Sequence, residues 1–275
     1  VRFSESIHED LKRRDFTMNA LAVHGVTGVL IDDHGGRSDI KHRVIRAIGN
    51  PVQRFEEDAL RMLRACRFAS QLEFTIEQHT LEAMTLCAEY ITHVSPERIK
   101  DELDGILGSP TPSTGLELMR TTGLMKYILP ELIDSVGVEQ KGNHQFDVYH
   151  HSLISCDGAP REHLLLRWAA LLHDVGKPES RDTDELGIPT FHRHEQLSAN
   201  HADRIMRRLC FSNRDREHIL HLIRNHMYHY TPEWSDAAVR RFLAQAGYDA
   251  VEDLFALRRA DQHGTFGAAP RHDSN

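Results

Sequence analysis

From residue 55 to residue 246 the apolar side chains of this 275-residue chain recur, segment after segment, with the period of an α-helix. A chain patterned this way builds its core by stacking helices, so strands are confined largely to the first 50 residues. Helices are predicted over 55–70, 77–90, 96–108, 112–122, 164–172, 197–209, 217–226 and 237–246, with a last helix around Asp261. Ser95-Pro96 marks one start, with serine as N-cap and proline in the first turn. Before residue 50, Leu21-Ala22-Val23 and Val29-Leu30-Ile31 read as a short hairpin through Gly25 and Gly28, and 44–48 as a further strand. Asp32 to Gly36 reads as a turn, 137–146 as a linker and 179–193 as a loop. The expected fold class is mainly α, α+β overall.

Composition removes several classes. The chain is 40% hydrophobic and 27% charged, ordinary for a soluble globular protein. No apolar run reaches the roughly 18 residues of a membrane span, so no membrane association is expected. Cys66, Cys87, Cys156 and Cys210 are scattered, without metal-knuckle spacing or a disulfide framework, which points to a reducing, cytoplasmic compartment. A net charge of -8 argues against general nucleic-acid binding, but residues 12–67 carry eleven Lys/Arg against seven Asp/Glu. Phosphate can be held in that stretch. Histidine is the outlier: twelve of the twenty fall between His144 and His229, a density that suggests a metal site.

Two constellations carry chemistry. In the first, Arg13-Arg14-Asp15 is followed by Asn19, and Glu57-Asp58-x-x-Arg61 by Arg64 and Arg67. On a single helix, Glu57, Asp58, Arg61 and Arg64 would span an arc of about 120°. Guanidinium forks and carboxylates on one face can offer donors and acceptors to phosphates and base edges. The same spacing also suits an exposed helix laced with ion pairs. In the second, the apolar run Leu164–Leu172 ends in His173-Asp174-Val175-Gly176-Lys177, where adjacent imidazole and carboxylate can share one metal. His201, His218 and His221, at helical positions, suit solvated side chains.

Together these strings carry a resemblance. Residues 13–22 resemble the RRDFTxNAxA motif of the class II tRNA nucleotidyltransferases (CCA-adding enzymes) and the related bacterial poly(A) polymerases. Glu57-Asp58-x-x-Arg61 resembles their EDxxR template, and Asp32–Ile40, with Gly35-Gly36 and Asp39, their intervening D-x-x-GG-x-x-D element. Carried over by position, Arg14 contacts the nucleotide triphosphate, Asp58 and Arg61 pair with the incoming base, and Arg64 and Arg67 hold phosphate or ribose. The string His173-Asp174-x-Gly176-Lys177 resembles the HDxGK signature of the HD phosphohydrolases. Their H…HD…D order then falls on His151, His173, Asp174 and Asp261, with His194 and His226 as the extra ligands of dinuclear members and Lys177 near the phosphate.

The resemblance implies a small strand-containing remnant of a nucleotidyltransferase head (1–50), an all-helical nucleotide-recognising neck (51–136), a helical HD domain (137–265) and a tail (266–275). It implies addition of C and A to tRNA 3′ ends from CTP and ATP, with Mg²⁺ for nucleotidyl transfer, and tRNA and nucleotides as partners. The HD site would take a divalent transition metal (Ni²⁺, Mn²⁺ or Fe²⁺) and process RNA ends by phosphoester hydrolysis. In the family the Mg²⁺-binding carboxylates lie ahead of the RRD motif, and no such segment precedes Val1. The chain as written is therefore expected to bind nucleotide weakly without adding it. A poly(A) polymerase, an HD phosphohydrolase with a non-catalytic RNA-binding head, and a purely RNA-binding module stay open as alternatives, as does the oligomeric state.

Overall fold

The computed structural model describes residues 6–140, 145–228 and 233–267. They fall into two compact units, Val1–Ile128 and Leu129–Asn275. The first contains α1 (Ile7–Lys12), the antiparallel pair β1 (Ala22–Val23) and β2 (Leu30–Ile31), α2 (Gly36–His42) and β3 (Val44–Ile45). It continues with α3 (Pro51–Glu57), α4 (Leu60–Leu72), β4 (Thr75–Ile76), α5 (Gln78–Cys87), α6 (Pro96–Leu107), α7 (Pro112–Thr121) and α8 (Leu124–Ile128). The strands β3 and β4 pair in parallel.

Helix α4 is the axis of this unit. Its Met62, Leu63, Ala65 and Cys66 are fully buried, and it packs against α6 and α7. Polar ties bind the residues before 50 to those that follow. Thr17 Oγ1 donates to Asp39 Oδ2 at 2.6 Å, Arg46 Nε donates to the same oxygen at 3.1 Å, and Ala47 N–H donates to Thr80 Oγ1 at 3.1 Å. Asp32 caps α2 by accepting from Gly36 N and Arg37 N at 2.7 and 3.1 Å. Gly36 has to be glycine: a Cβ there would stand 2.3 Å from the Thr17 carbonyl oxygen.

The second unit contains α9 (Pro130–Ile133), α10 (Val148–Gly158), α11 (Leu164–Leu172), α12 (Lys177–Ser180), and the antiparallel hairpin β5 (Arg181–Thr183) and β6 (Pro189–Phe191). The helices α13 (His194–Arg208), α14 (Asn213–Asn225), α15 (Asp236–Ala246) and α16 (Val251–Phe266) complete it. Helix α11 is buried from Leu166 to Leu172 and packs against α10, α14 and α16. Its apolar run is broken only by Arg167, itself buried with Nε donating to the Ala159 carbonyl at 3.1 Å, and a helix so apolar has to be enclosed, which is why it forms the centre. Gly264 lets α10 and α16 approach, since a Cβ there would fall 2.0 Å from Ser155 Oγ. Among the described residues, no helix is long and apolar enough to cross a membrane.

Several expectations need correction. The helix expected over 55–70 is two helices: Asp58 takes an extended backbone (φ -154°, ψ 101°), and its Oδ1 caps Leu60 N–H at 3.1 Å. Glu57 therefore ends α3, while Arg61 and Arg64 belong to α4. Ser95 makes no side-chain cap, although Pro96 does open α6. The turn at Asp32 to Gly36 leads into helix α2, the strand at 44–48 is only Val44–Ile45, and the loop at 179–193 holds the β5–β6 hairpin. Helix α16 runs to Phe266, and the rest of the tail, like 141–144 of the linker, lies outside the described residues.

Substituting Gly36→Ala should cost about 2 kcal/mol, because the Thr17 backbone cannot yield without breaking the Thr17–Asp39 tie. Gly25→Ala, which meets nothing within 4 Å, should fall within about 0.5 kcal/mol of wild type. Urea denaturation of the two variants checks this.

Candidate functional site

In the first unit, Arg14, Asp58, Arg61 and Arg64 surround one cavity of ≈ 500 Å³, together with Asp15, Asn19, Phe68 and Arg98. The RRD string reaches α4 through Asp15, which is buried. Its Oδ2 accepts from Arg64 Nε at 2.7 Å, and its Oδ1 accepts from Phe16 N–H and Asn19 Nδ2 at 2.8 and 3.1 Å. Burial alone would raise the Asp15 pKa, but these hydrogen bonds and the Arg64 charge outweigh it and hold the carboxyl below its ordinary value. Arg64 is thereby fixed with only part of its fork used.

Arg61 is held by Glu57, not by Asp58. Its Nη1 donates to Glu57 Oε2 and to the Arg54 carbonyl, both at 2.9 Å, and its Nη2 donates to the Arg13 carbonyl at 3.0 Å. Asp58 pairs instead with Arg98, whose Nη2 donates to Oδ2 at 2.8 Å. Arg14 is more than half exposed and reaches back to Asp10 Oδ2 at 3.1 Å. Arg67 lies outside the group lining the cavity. Its Nε is 3.0 Å from Oε2 of the buried Glu102, which needs a counter-charge, and its guanidinium lies over the Phe68 ring at 4.9 Å. Sequence reasoning missed Asp15 and Arg98 as cavity residues. Asp15 sits inside the motif, and a lone acid beside two arginines was a readable signal. Arg98 stands 40 residues from its partner, and nothing local marks it.

In the second unit, six predicted residues from separate helices meet. His151 comes from α10, His173 and Asp174 follow α11, His194 opens α13, His226 follows α14 and Asp261 lies in α16. His151, His173 and Asp174 form one potential metal-holding group, and Asp174, His194 and His226 a second, all buried. Asp174 serves both. Its Oδ2 lies 3.4 and 3.3 Å from Nε2 of His151 and His173, and its Oδ1 lies 3.2 and 3.9 Å from Nε2 of His194 and His226. Asp261 Oδ1 adds a second carboxylate 3.2 Å from His151 Nε2.

The second nitrogens explain the orientation. Nδ1–H of His173, His194 and His226 donates to the carbonyls of Ala170, Phe191 and Ile223 at 2.8, 2.9 and 2.7 Å. Each ring thus turns Nε2 inward, as a backbone-anchored metal ligand does. The inward nitrogens approach in pairs, His151 to His173 at 3.2 Å and His194 to His226 at 3.3 Å. Imidazole lone pairs that close repel unless positive charge lies between them, so this donor set fits two divalent cations sharing Asp174. Burial, with the charge of His173, pushes His226 down to about 3 and so keeps it neutral. Burial also opposes charge on His173, yet the Asp174 and Asp261 carboxylates raise it to about 10.

Lys177 Nζ donates to Asp174 Oδ2 and Gln140 Oε1, both at 2.6 Å, and so braces the shared carboxylate. Gly176 N–H donates to Ser198 Oγ at 2.9 Å, and a Cβ on Gly176 would stand 2.4 Å from Ser198 N. The loop carrying Asp174 is thus pressed onto α13. His201, His218 and His221 are not idle solvated side chains: they meet Glu179, Asp253 and the Ala246 carbonyl at 2.7, 2.8 and 2.6 Å.

A cavity ringed by arginines and carboxylates, followed in the chain by a helical His-Asp centre, defines a nucleotidyltransferase-type head and neck joined to an HD-type domain. Family models agree segment by segment: the poly(A) polymerase head domain over residues 1–46, the probable RNA- and SrmB-binding site of polymerase A over 73–135, and the HD domain over 142–261. The A-adding tRNA nucleotidyltransferase of Deinococcus radiodurans is 36% identical across 97% of this chain and 62% of its own length. The CCA-adding enzyme of Geobacillus stearothermophilus is 42% identical across 66% of this chain and 42% of its own. The crystal structure of the Bacillus stearothermophilus CCA-adding enzyme in complex with CTP superposes with a TM-score of 0.69, at 30% identity, over 97% of this chain and 57% of that one. These matches together support the class II CCA-adding (tRNA nucleotidyltransferase) family for this chain, with an HD-domain match in its second unit. The chain spans about three fifths of the first of these curated relatives and two fifths of the second.

Because the Asp15 pKa is lowered on folding, its contribution to stability is complete above the ordinary carboxylate value of 3.8 and is lost as the pH falls through the folded value. Arg64→Ala should therefore destabilise the first unit by about 2 kcal/mol at neutral pH, discounted for the part-exposed arginine. The deficit should shrink as the pH falls below about 3.8 and close only below the lowered folded value of Asp15, where its carboxyl is protonated. Urea titrations between pH 3 and pH 7 measure it.

Proposed function

We propose that the first unit selects nucleotides for a tRNA nucleotidyltransferase that adds C and A to tRNA 3′ ends from CTP and ATP, with Mg²⁺. The observation that carries this is the meeting of Arg14, Asp58, Arg61 and Arg64 around one cavity. The Asp58–Arg98 pair, and Arg61 held from behind by Glu57, supply fixed acceptors and donors at its wall, suited to amino groups and ring nitrogens of cytosine and adenine. Arg14 and Arg64 supply charge for phosphate or ribose. Among the described residues, the two His/Asp groups able to hold a metal both lie in the second unit. Cytoplasmic tRNA is the proposed substrate. Addition of A alone is the second reading, favoured because the Deinococcus relative that aligns with nearly the whole chain is an A-adding enzyme.

We propose that the second unit is a metal-dependent phosphohydrolase of RNA ends. His151, His173, Asp174, His194, His226 and Asp261 would hold two Ni²⁺, Mn²⁺ or Fe²⁺ ions, which when bound supply Lewis-acid activation of water and phosphate. Asp174 turns one oxygen to each histidine pair, at 3.2 to 3.9 Å, Lys177 fixes Asp174, and three backbone carbonyls keep the His173, His194 and His226 imidazoles in the ligating tautomer.

Two measurements test these readings. A protein joining this chain to a relative's head, incubated with tRNA lacking its 3′ end, should incorporate both CTP and ATP. Arg64→Ala should cut both at least tenfold, whereas incorporation of ATP alone favours the second reading. With Mn²⁺ or Ni²⁺, the chain should hydrolyse a 2′,3′-cyclic nucleotide and His173→Ala should not; equal inertness of the two counts against the hydrolase.

A further inference from the structure

The three helices that deliver His173, His226 and Asp261 carry a second, smaller histidine–carboxylate group further back along their length. His163 holds the N-cap position of α11 and makes no side-chain cap there, His218 lies in α14, and Asp253 lies in the first turn of α16. They stand ten, eight and eight residues ahead of His173, His226 and Asp261, so the group lies roughly 12–15 Å from the centre along the helices. Asp253 turns one oxygen to each imidazole: Oδ2 is 2.8 Å from His218 Nε2, and Oδ1 is 3.9 Å from His163 Nδ1. A cavity of ≈ 420 Å³ opens on all three, and Glu162, Asp215 and the first leucines of α11 complete its lining. Three carboxylates thus meet with no lysine or arginine among the lining residues. Asp215 accepts from Ser212 Oγ at 2.8 Å beside the start of α14, so it adds negative charge to the cavity while staying tied to the chain.

We propose that His163, His218 and Asp253 form a site for a divalent cation of the zinc class, with water in the fourth position. Two imidazoles and a carboxylate are a donor set that zinc takes at about 2.0–2.2 Å, and tetrahedral angles then place the donor atoms roughly 3.3 Å apart. The separations of 2.8 and 3.9 Å fall on either side of that value. The group is looser than the two at the centre, and it closes when the His163 ring turns toward Asp253. That ring has room to move: its side chain is 55% exposed and holds no cap bond that must break. Magnesium and calcium prefer sites built from oxygen, so two nitrogen donors select against them. The ion would pin the starts of α11 and α16 to α14, and it stabilises the unit because the donors are brought together only in the folded chain. All three side chains are partly exposed, whereas His173 and Asp174 of the centre are buried. The outer ion therefore exchanges with solution and is carried off by desalting.

Equilibrium dialysis of the desalted chain against Zn²⁺, with the bound metal counted, tests this. Wild type should hold one Zn²⁺ more than His218→Gln or Asp253→Asn, however many ions the centre takes, so the difference does not depend on the hydrolase reading. Asparagine keeps the shape of Asp253 and a hydrogen bond to His218, so loss of the ion in Asp253→Asn separates ligation from a hydrogen-bonded pair. His163→Ala, at an exposed position where the fold asks nothing of the ring, should weaken the same ion by at least the roughly 10–100-fold that follows loss of even an outer partner of a metal ligand. Zn²⁺ should also raise the melting temperature of the wild type by more than that of any of the three variants. Equal zinc counts in the wild type and the variants overturn the site and leave a hydrogen-bonded histidine–aspartate pair only. An extra ion that an equal concentration of Mg²⁺ displaces overturns the assignment to the zinc class.

Discussion

The two oxygens of Asp174 face opposite pairs of histidines, and the second unit is organised around that division. Helices α10, α11, α13, α14 and α16 each deliver a ligand or hold one next in the chain, so their packing and the centre specify each other. A buried carboxylate among four imidazoles is expensive to desolvate, and only compensating charge makes the arrangement favourable. Lys177 satisfies part of that demand from outside, and backbone carbonyls fix the rings from behind. The glycines at 176 and 264 belong to the same design: both lie where a methyl group would force helices apart by more than the ligand geometry tolerates.

The first unit solves a related problem with permanent charges. Asp15 and Glu102 are both buried, and each is met by an arginine of α4. Their effects on Arg64 and Arg67 differ. Arg64 remains beside the cavity with donors to spare, whereas Arg67 is drawn toward Glu102. The break at Asp58 is equally consequential. By leaving the helix, Asp58 frees its second oxygen for Arg98 and lets Glu57 take Arg61, so two carboxylate–guanidinium pairs replace the single face expected from a continuous helix.

Much of this was legible in the sequence, for physical reasons that also mark its limits. Helices α13, α14 and α15 announce themselves because apolar period 3.6 is a local property, α11 because its apolar run is nearly continuous, and the histidine density points to a candidate site. All six expected metal-site residues do converge. The break between α3 and α4 was not legible, because it depends on one backbone angle pair and a side-chain cap that no periodicity records. Arg98 was hidden because its significance lies in a partner distant along the chain. The β5–β6 hairpin was missed because its strands are three residues each and mostly polar, too short to alternate visibly.

The account stands or falls on whether the histidine centre is a two-cation site sharing one carboxylate. Elemental analysis of the protein purified after growth with Mn²⁺ or Ni²⁺, alongside Asp174→Asn and His194→Ala, tests that directly. The expected result is two divalent ions per chain in the wild type, about one in His194→Ala and none in Asp174→Asn, with all three folded by circular dichroism. A wild type without metal, or an Asp174→Asn protein that keeps both ions, would contradict it.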